Sequence, residues 1–273
     1  MRVCTLGDLL LDVIVRLDHP LETGADTRAE TYAGAGGQAA NVAAWAAELG
    51  ADARFVGKRA DDAAGRLAAD ELATHGVDVL GPAVQGRNGV VVSVVAPDGE
   101  RTMASDRGVA PELRPEELDP AWLDGCDWLH LSGYSLARTP IVDAAQAAAA
   151  AAREHGGRVS VDLSAWTVIR ELGPARFRER LEQVAPDVVF ANEPEWEMLG
   201  GAYALAEQAV VKRGRRGIEV WADGSREEHE PVAAEVVDTT GAGDALAAGF
   251  LVGGAELGLE AAARCVAKLG AMP

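Results

Sequence analysis

Short apolar, β-branched runs alternate along this chain with Ala-rich stretches whose apolar positions recur at helical spacing. The first pattern predicts strands over 2–6, 13–17, 53–56, 89–95, 128–131, 158–162, 187–190, 209–212 and 217–221. The second predicts helices over 38–49, 63–74, 141–154, 174–184, 193–199, 243–252 and 259–268. The nearly pure alanine run from Ala144 to Ala152 is framed as a helix and reads as one. Strands separated by helices imply a mostly parallel sheet covered on both faces. In such sheets ligands bind beyond the carboxyl ends of the strands.

Two stretches break the alternation. Residues 27–33 read as a short strand before a glycine-rich turn. Residues 90–104 read as a hairpin with the turn Pro97-Asp98-Gly99-Glu100. No helix lies between its strands, so we read a small β-lid built from segments of about 13–33 and 89–106. A lid can close over a substrate and exclude water. An ordinary edge hairpin is the plainer alternative. Its open strand edges would also suit pairing with a second copy, a homodimer through the lid.

The length of 273 residues suits one large α/β domain. Hydrophobic residues are 48%, yet no run approaches the ~20 apolar residues that span a bilayer. The start runs straight into a strand pattern, unlike a secretory leader. Cys4, Cys126 and Cys265 are scattered in apolar contexts, as reduced cysteines of a cytoplasmic protein are. The net charge of −18 argues against nucleic acid or an anionic membrane as a partner. Only Lys58, Lys212 and Lys268 are lysines, so local positive charge for an anionic ligand must come from helix ends, metal and arginines.

The candidate chemistry begins with Asp238-Thr239-Thr240-Gly241-Ala242-Gly243-Asp244, which leads into an apolar helix. Small residues let the backbone approach a ligand, and a helix start attracts an anion. A carboxylate there opposes that attraction. The conflict resolves if Asp244 takes a proton from an acceptor hydroxyl while Gly241, Ala242 and Gly243 hold the phosphoryl group moving to it. Alone, the same residues also fit a tight turn and a helix-start aspartate.

Four further segments fall at strand ends or helix starts. In Gly34-Ala35-Gly36-Gly37-Gln38-Ala39-Ala40-Asn41, Asn41 can offer donor and acceptor to a polyol, or simply cap or face solvent. Asp8 and Asp12, after the first strand, suit a grip on vicinal hydroxyls, or a polar turn. Asn192 and Glu195 suit a magnesium–water shell near phosphates, or a capped helix start. Gly214 to Gly217 can meet a nucleotide phosphate, or form a plain hairpin turn. The glycine spacing fits neither a Walker loop nor a dinucleotide fingerprint, which argues against a dehydrogenase.

Gly-Asp-x-x-x-Asp, Gly-Gly-x-x-x-Asn, Asn-x-x-Glu and Asp-Thr-x-Gly-Ala-Gly-Asp occur here in that order. Together they resemble the ribokinase family of carbohydrate and nucleoside kinases (PfkB type), from the first strand to the last helix. The resemblance implies a three-layer α/β/α sandwich with a mostly parallel central sheet and a β-lid. It implies ATP and Mg2+ as cofactors, with K+ a further candidate. Asp244 would be the base and Gly241, Ala242 and Gly243 the anion hole. Asp12, Gly37 and Asn41 would bind the acceptor, with Asp8 beside them. Arg107, in the 102–109 segment, would meet a carboxylate or phosphate on it. Asn192 and Glu195 would serve magnesium and phosphate, with Lys212, Gly214 and Gly217 on the nucleotide side. Asp238 and Thr240 would serve a monovalent cation.

The chain departs from the family pattern in three places. Ala60 stands where glycine is usual, the segment from Asn192 to Gly214 is short with only about 203–208 in place of a full helix, and the last helix is clipped near Ala271-Met272-Pro273. The last two departures fall on the nucleotide side. The expected function is ATP-dependent phosphorylation of a hydroxyl on a small sugar. The alternatives are a nucleoside acceptor and a silent sugar-binding protein with a degraded nucleotide site.

Overall fold

The computed structural model describes residues 1–98, 101–201 and 205–273. In chain order the strands are β1 (Arg2–Leu6), β2 (Leu10–Leu17), β3 (Ala29–Gly36), β4 (Asp52–Val56), β5 (Arg59–Ala60), β6 (Val77–Leu80), β7 (Ala83–Val84), β8 (Asn88–Val95), β9 (Arg101–Gly108), β10 (Trp128–Ser132), β11 (Arg158–Asp162), β12 (Val188–Asn192), β13 (Gln208–Lys212), β14 (Ile218–Ala222) and β15 (Ser225–His229). The helices are α1 (Gln38–Glu48), α2 (Ala63–Thr74), α3 (Ile141–Glu154), α4 (Trp166–Leu172), α5 (Pro174–Val184), α6 (Glu193–Met198) and α7 (Ala242–Val266).

Nine strands form one sheet in the order β15-β14-β13-β12-β11-β10-β1-β4-β6. It is parallel from β13 to β6 and antiparallel only at the β13-β14-β15 edge. The central strands are buried on both faces, and their alternate residues feed two separate cores. Val3, Val188 and Phe190 enter the core with α1 and α7. Cys4, Leu6, Val189 and Ala191 enter the other, with α3 and α5. This period of two, with helices on each side, is the three-layer α/β/α arrangement. A second sheet, in the order β3-β2-β8-β9, carries the expected lid strands, joined through the parallel β2–β8 pair.

Several expectations need correction. β2 begins at Leu10, so the lid sheet joins the body directly beside Asp8. β3 runs on through the glycine-rich stretch to Gly36. Within the lid turn, Gly99 and Glu100 lie outside the described residues. The helix expected over about 203–208 starts on Tyr203 and Ala204, also outside them, while Gln208 opens β13. Helix α4 and strand β15 were not predicted. β15 reads Ser-Arg-Glu-Glu-His, an edge strand with no apolar alternation to betray it.

The two predicted terminal helices are the two halves of α7, separated at Gly253 and Gly254 by non-helical backbone. The break folds the second half against the first. A Cβ on Gly249 would sit 2.6 Å from the Leu257 carbonyl oxygen, and one on Gly258 would sit 2.9 Å from that of Leu246. Among the described residues this helix alone is long and apolar enough to cross a membrane by length and composition. It is not an unbroken apolar run, since Asp244, Glu256, Glu260 and Arg264 interrupt it and the backbone leaves the helix at Gly253 and Gly254. The break and the burial of one face against α1 account for its apolar character as a core helix.

Candidate active site

The turn before α7 is shaped by its own polar groups. Asp238 Oδ1 accepts from the Thr240 N–H (2.9 Å) and the Thr240 hydroxyl (2.6 Å), and Oδ2 accepts from the Gly270 N–H (3.0 Å). Gly241 then takes a left-handed conformation (φ 75°), where a Cβ would also lie 2.5 Å from the Ala271 Cβ. A side chain at Gly243 would lie 3.2 Å from Lys212 Nζ. The two glycines thus serve different ends, turning the chain and admitting a cation to the helix start.

Asp244 follows in the first turn of α7, half-buried, and its Oδ2 accepts from Asn41 Nδ2 at 2.7 Å. Burial raises its pKa to about 7. The Asn41 hydrogen bond opposes the rise, nearby Asp162 adds to it, Lys212 subtracts, and Asp12 adds again. A carboxylate with this value is still ionised in part near neutrality yet is a much better proton acceptor than an exposed aspartate. Asn41 is itself buried, and its Oδ1 has no hydrogen-bond partner. A buried orphan acceptor beside a carboxylate suits a ligand hydroxyl that donates to it.

These groups line a cavity of about 230 Å³. Asp8, Asp12, Gly37, Asn41, Arg107, Gly241 and Asp244 all face it, with Gln38, Tyr134 and Ser164. The predicted acceptor and catalytic residues are therefore brought together from four separated segments. The glycines at 36 and 37 make room. A Cβ on Gly36 would lie 2.1 Å from the Asp12 carboxyl carbon. One on Gly37, at φ 101°, would lie 2.4 Å from the Asp8 carbonyl oxygen.

Asp8 is also engaged within the protein. Its two oxygens accept from Arg107 Nε (2.5 Å) and Nη2 (2.6 Å), so it orients the arginine at the cavity wall. Arg107 also donates from Nη1 to the Tyr134 carbonyl (3.3 Å) and lies 5.2 Å from that ring's centre.

A second cavity, about 480 Å³, lies on the other side of the same turn. Lys212, Gly214 and Gly217 line it, as does the α7 start at Ala242 and Gly243. The remainder is apolar, with Val232, Val236, Leu246, Leu259 and Val266 among its walls. Apolar walls beside a helix start fit a flat base with attached phosphates.

Asn192 and Glu195 line neither cavity. They cap α6 on each other: Asn192 Oδ1 accepts from the Glu195 N–H (3.0 Å), and Glu195 accepts from the Asn192 N–H and Nδ2 (2.8 Å each). Burial pushes the Glu195 carboxyl up, against the pull of Lys212. Among the described residues no group of three or more His, Cys, Asp or Glu side chains could hold a metal ion. Both Glu195 oxygens already accept hydrogen bonds, so the residues fit a magnesium ion held through water and not by direct ligation.

The sequence reading missed Asp162, Ser164, Gln38 and Tyr134. Asp162 ends the predicted strand 158–162, so position at a strand's carboxyl end could have marked it. Ser164 sits in a loop and Tyr134 in the 3-10 helix Gly133–Leu136, with no motif to mark either.

A family model for pfkB family carbohydrate kinases matches residues 1–272. An ATP-dependent ribose-1-phosphate kinase of Halopiger xanaduensis is 36% identical, covering 97% of this chain and 90% of its own. A fructokinase of Escherichia coli is 32% identical over 95% of this chain and 86% of its own. Among solved structures, an adenosine kinase from Sinorhizobium meliloti superposes with a TM-score of 0.89 at 27% identity, covering 99% and 95% of the two chains. A ribokinase II of Escherichia coli in complex with ATP and Mg2+ shares the fold, with a TM-score of 0.81 at 24% identity, covering 99% and 94%.

Proposed function

The chain belongs to the pfkB family of carbohydrate kinases, and from that premise we propose that it transfers the terminal phosphoryl group of ATP to a hydroxyl of a small sugar, with Asp244 as the base. One observation carries this reading. The Gly241–Asp244 turn is the wall between the two cavities: Gly241 and Asp244 face the smaller one, Ala242 and Gly243 the larger. A group leaving a nucleotide in one cavity for a hydroxyl in the other must pass that helix start.

The smaller cavity suits the acceptor. Asn41 Oδ1 and Asp12 accept hydrogen bonds from acceptor hydroxyls, and Asp244 lies beside them. Asp244 is too weak to ionise a free alcohol, so it accepts the proton late, as the new O–P bond forms and the hydroxyl acidifies. The N–H groups of the α7 start hold charge on the moving phosphoryl group, and most of the acceleration comes from this and from positioning. Magnesium, when bound with the nucleotide, would neutralise phosphate charge, with Glu195 reaching it through water. A potassium ion at Asp238 and Thr240 would have to displace donors that Asp238 already holds.

Arg107 is the only basic side chain facing the acceptor cavity among the described residues. It gives the pocket one anchor for an anionic substituent, as on the acceptor named for the Halopiger relative. A nucleoside acceptor is the second reading, favoured by the adenosine kinase likeness. The polar lining and lone aromatic, Tyr134, favour a bare sugar or sugar phosphate. The formed nucleotide cavity opposes a silent binder. We place the protein in the cytoplasm, acting on a small molecule, with the lid sheet as the face for a second copy.

ADP release from ATP with Mg2+, with and without K+, tests this across pentoses, hexoses, sugar acids, sugar phosphates and nucleosides. Turnover with one acceptor, abolished in Asp244→Asn, supports the reading. Sugar binding by calorimetry without turnover of any acceptor would transfer support to the silent binder.

A further inference from the structure

Asp162, at the carboxyl end of β11, is fully buried. Its two oxygens face different ways. Oδ2 accepts from Lys212 Nζ at 2.6 Å, and Lys212 lines the nucleotide cavity. Oδ1 accepts from the Ser164 N–H at 3.0 Å, and Ser164 lines the acceptor cavity. Ser164 holds a left-handed backbone (φ 73°) that a non-glycine residue adopts only when its surroundings enforce it. One buried carboxylate therefore ties down a residue of each half-site.

Lys212 ends β13, two strands from β11. Its ammonium turns back over the helix start of α7, where a Cβ at Gly243 would lie 3.2 Å from it. Burial alone would push the Lys212 pKa down, but Asp162 and then Glu195 reverse this and hold the amine charged. Lys212 and Arg215 are the only basic side chains lining the larger cavity among the described residues, and Arg215 is exposed. In a chain of net charge −18, a fixed cation at that spot is what a triphosphate lacks elsewhere.

We propose that Lys212 is a catalytic residue whose ammonium contacts the transferring phosphoryl group, and that Asp162 is the positioning residue that aims it. This rests on the kinase reading. In the step, the bond from the phosphorus to the bridging oxygen of the donor breaks and a bond to the sugar oxygen forms. The hydroxyl proton passes to Asp244. Lys212 keeps its protons throughout and neutralises charge on the oxygens in transit.

Calorimetry with ATP·Mg2+ and with adenosine tests this without an identified acceptor. Lys212→Met is expected to weaken ATP binding about tenfold or more, the loss of one charge-assisted hydrogen bond, and to leave adenosine binding unchanged. Lys212→Arg should recover part of the loss. Asp162→Asn should reproduce it, and the double variant Asp162→Asn/Lys212→Met should be no worse than Lys212→Met. Where Lys212→Met unfolds because it strands the buried Asp162 charge, the double variant removes both charges and carries the same comparison. ATP bound as tightly by the lysine-free protein as by the wild type overturns the proposal. So does an Asp162→Asn protein with wild-type ATP affinity. A wild-type protein that binds no ATP overturns the kinase reading beneath it.

Discussion

At Asp244 two demands meet in one side chain. A helix start favours an anion, while burial and the neighbouring Asp162 and Asp12 disfavour one. The pKa near 7 is the compromise, and it has consequences for activity and for stability. The proposed role of Asp244 as base requires it to be ionised, so kcat/KM should fall about tenfold per pH unit below about 7, the signature of one proton. Asp244→Asn should lower kcat by roughly 10²–10⁴-fold with sugar binding retained, read by ADP release and calorimetry.

Stability should move the other way. In the unfolded chain an aspartate titrates near ~3.9. The folded value is higher, so ionisation costs folding free energy that is absent below the unfolded pKa, grows as pH rises towards about 7, and is constant above it. Asp244→Asn should therefore raise Tm at pH 8 and change it little at pH 4. An equal shift at both would show that the carboxyl is not perturbed. Asn41→Ala removes the hydrogen bond that favours the carboxylate, so the acid limb of the pH profile should move to higher pH. The identity of Asp244 and its glycine turn was plain in the sequence. Its pKa was not, because the four side chains that shift it, Asn41, Asp162, Lys212 and Asp12, come from distant segments.

At the scale of elements, glycines do different work at positions that look alike in sequence. Gly37 starts α1 at φ 101°, and its missing Cβ admits the Asp8 carbonyl. Gly254 breaks α7 at φ 85° with nothing within 4 Å of where a Cβ would sit. Gly254→Ala should cost about 1–3 kcal/mol in urea unfolding through backbone strain alone, leaving kcat intact. Gly37→Ala carries a backbone clash besides, so it should cost more and also raise the acceptor KM. Equal stability losses with equal kinetics would mean that contact with Asp8 is unimportant. Most helix and strand positions were legible from periodicity, since each central strand feeds two cores by alternation. The polar edge strand β15 was not, because its pairing with β14 comes from an exposed backbone edge and leaves no apolar signature. The mutual cap of Asn192 and Glu195 was legible too, as the plainer of two readings of an acidic helix start.

For the whole molecule, the lid is the part whose position matters to the acceptor. β9 delivers Arg107 to Asp8 and Tyr134 on the body, a tie between the two sheets. The Arg107→Met/Asp8→Asn double variant removes that tie without stranding a buried charge. It should raise the acceptor KM by about tenfold or more and leave the ATP KM in place, checked by initial rates with each substrate varied. Tyr32 and Met103 on the lid strands are half-exposed apolar side chains. If the lid sheet pairs with a second copy, light scattering should give twice 28.4 kDa, and Tyr32→Glu should reduce it to one.

The sequence by itself determined the alternation of strands and helices, the two glycine-rich helix starts and the carboxylate placed at one of them. Those are local properties, set by side-chain period and by the backbone freedom of glycine. Only the tertiary structure decided which groups meet. Asn41 reaches Asp244 across 203 positions, Arg107 reaches Asp8 across 99, and Lys212 reaches Asp162 across 50. Each meeting depends on the strand order, which brings the carboxyl ends of β1, β11 and β13 to one edge of the sheet. No local pattern encodes that order. It follows from how two apolar faces are buried at once, and with it come the pairing of Asp8 with Arg107, the pairing of Lys212 with Asp162 and the raised pKa of Asp244.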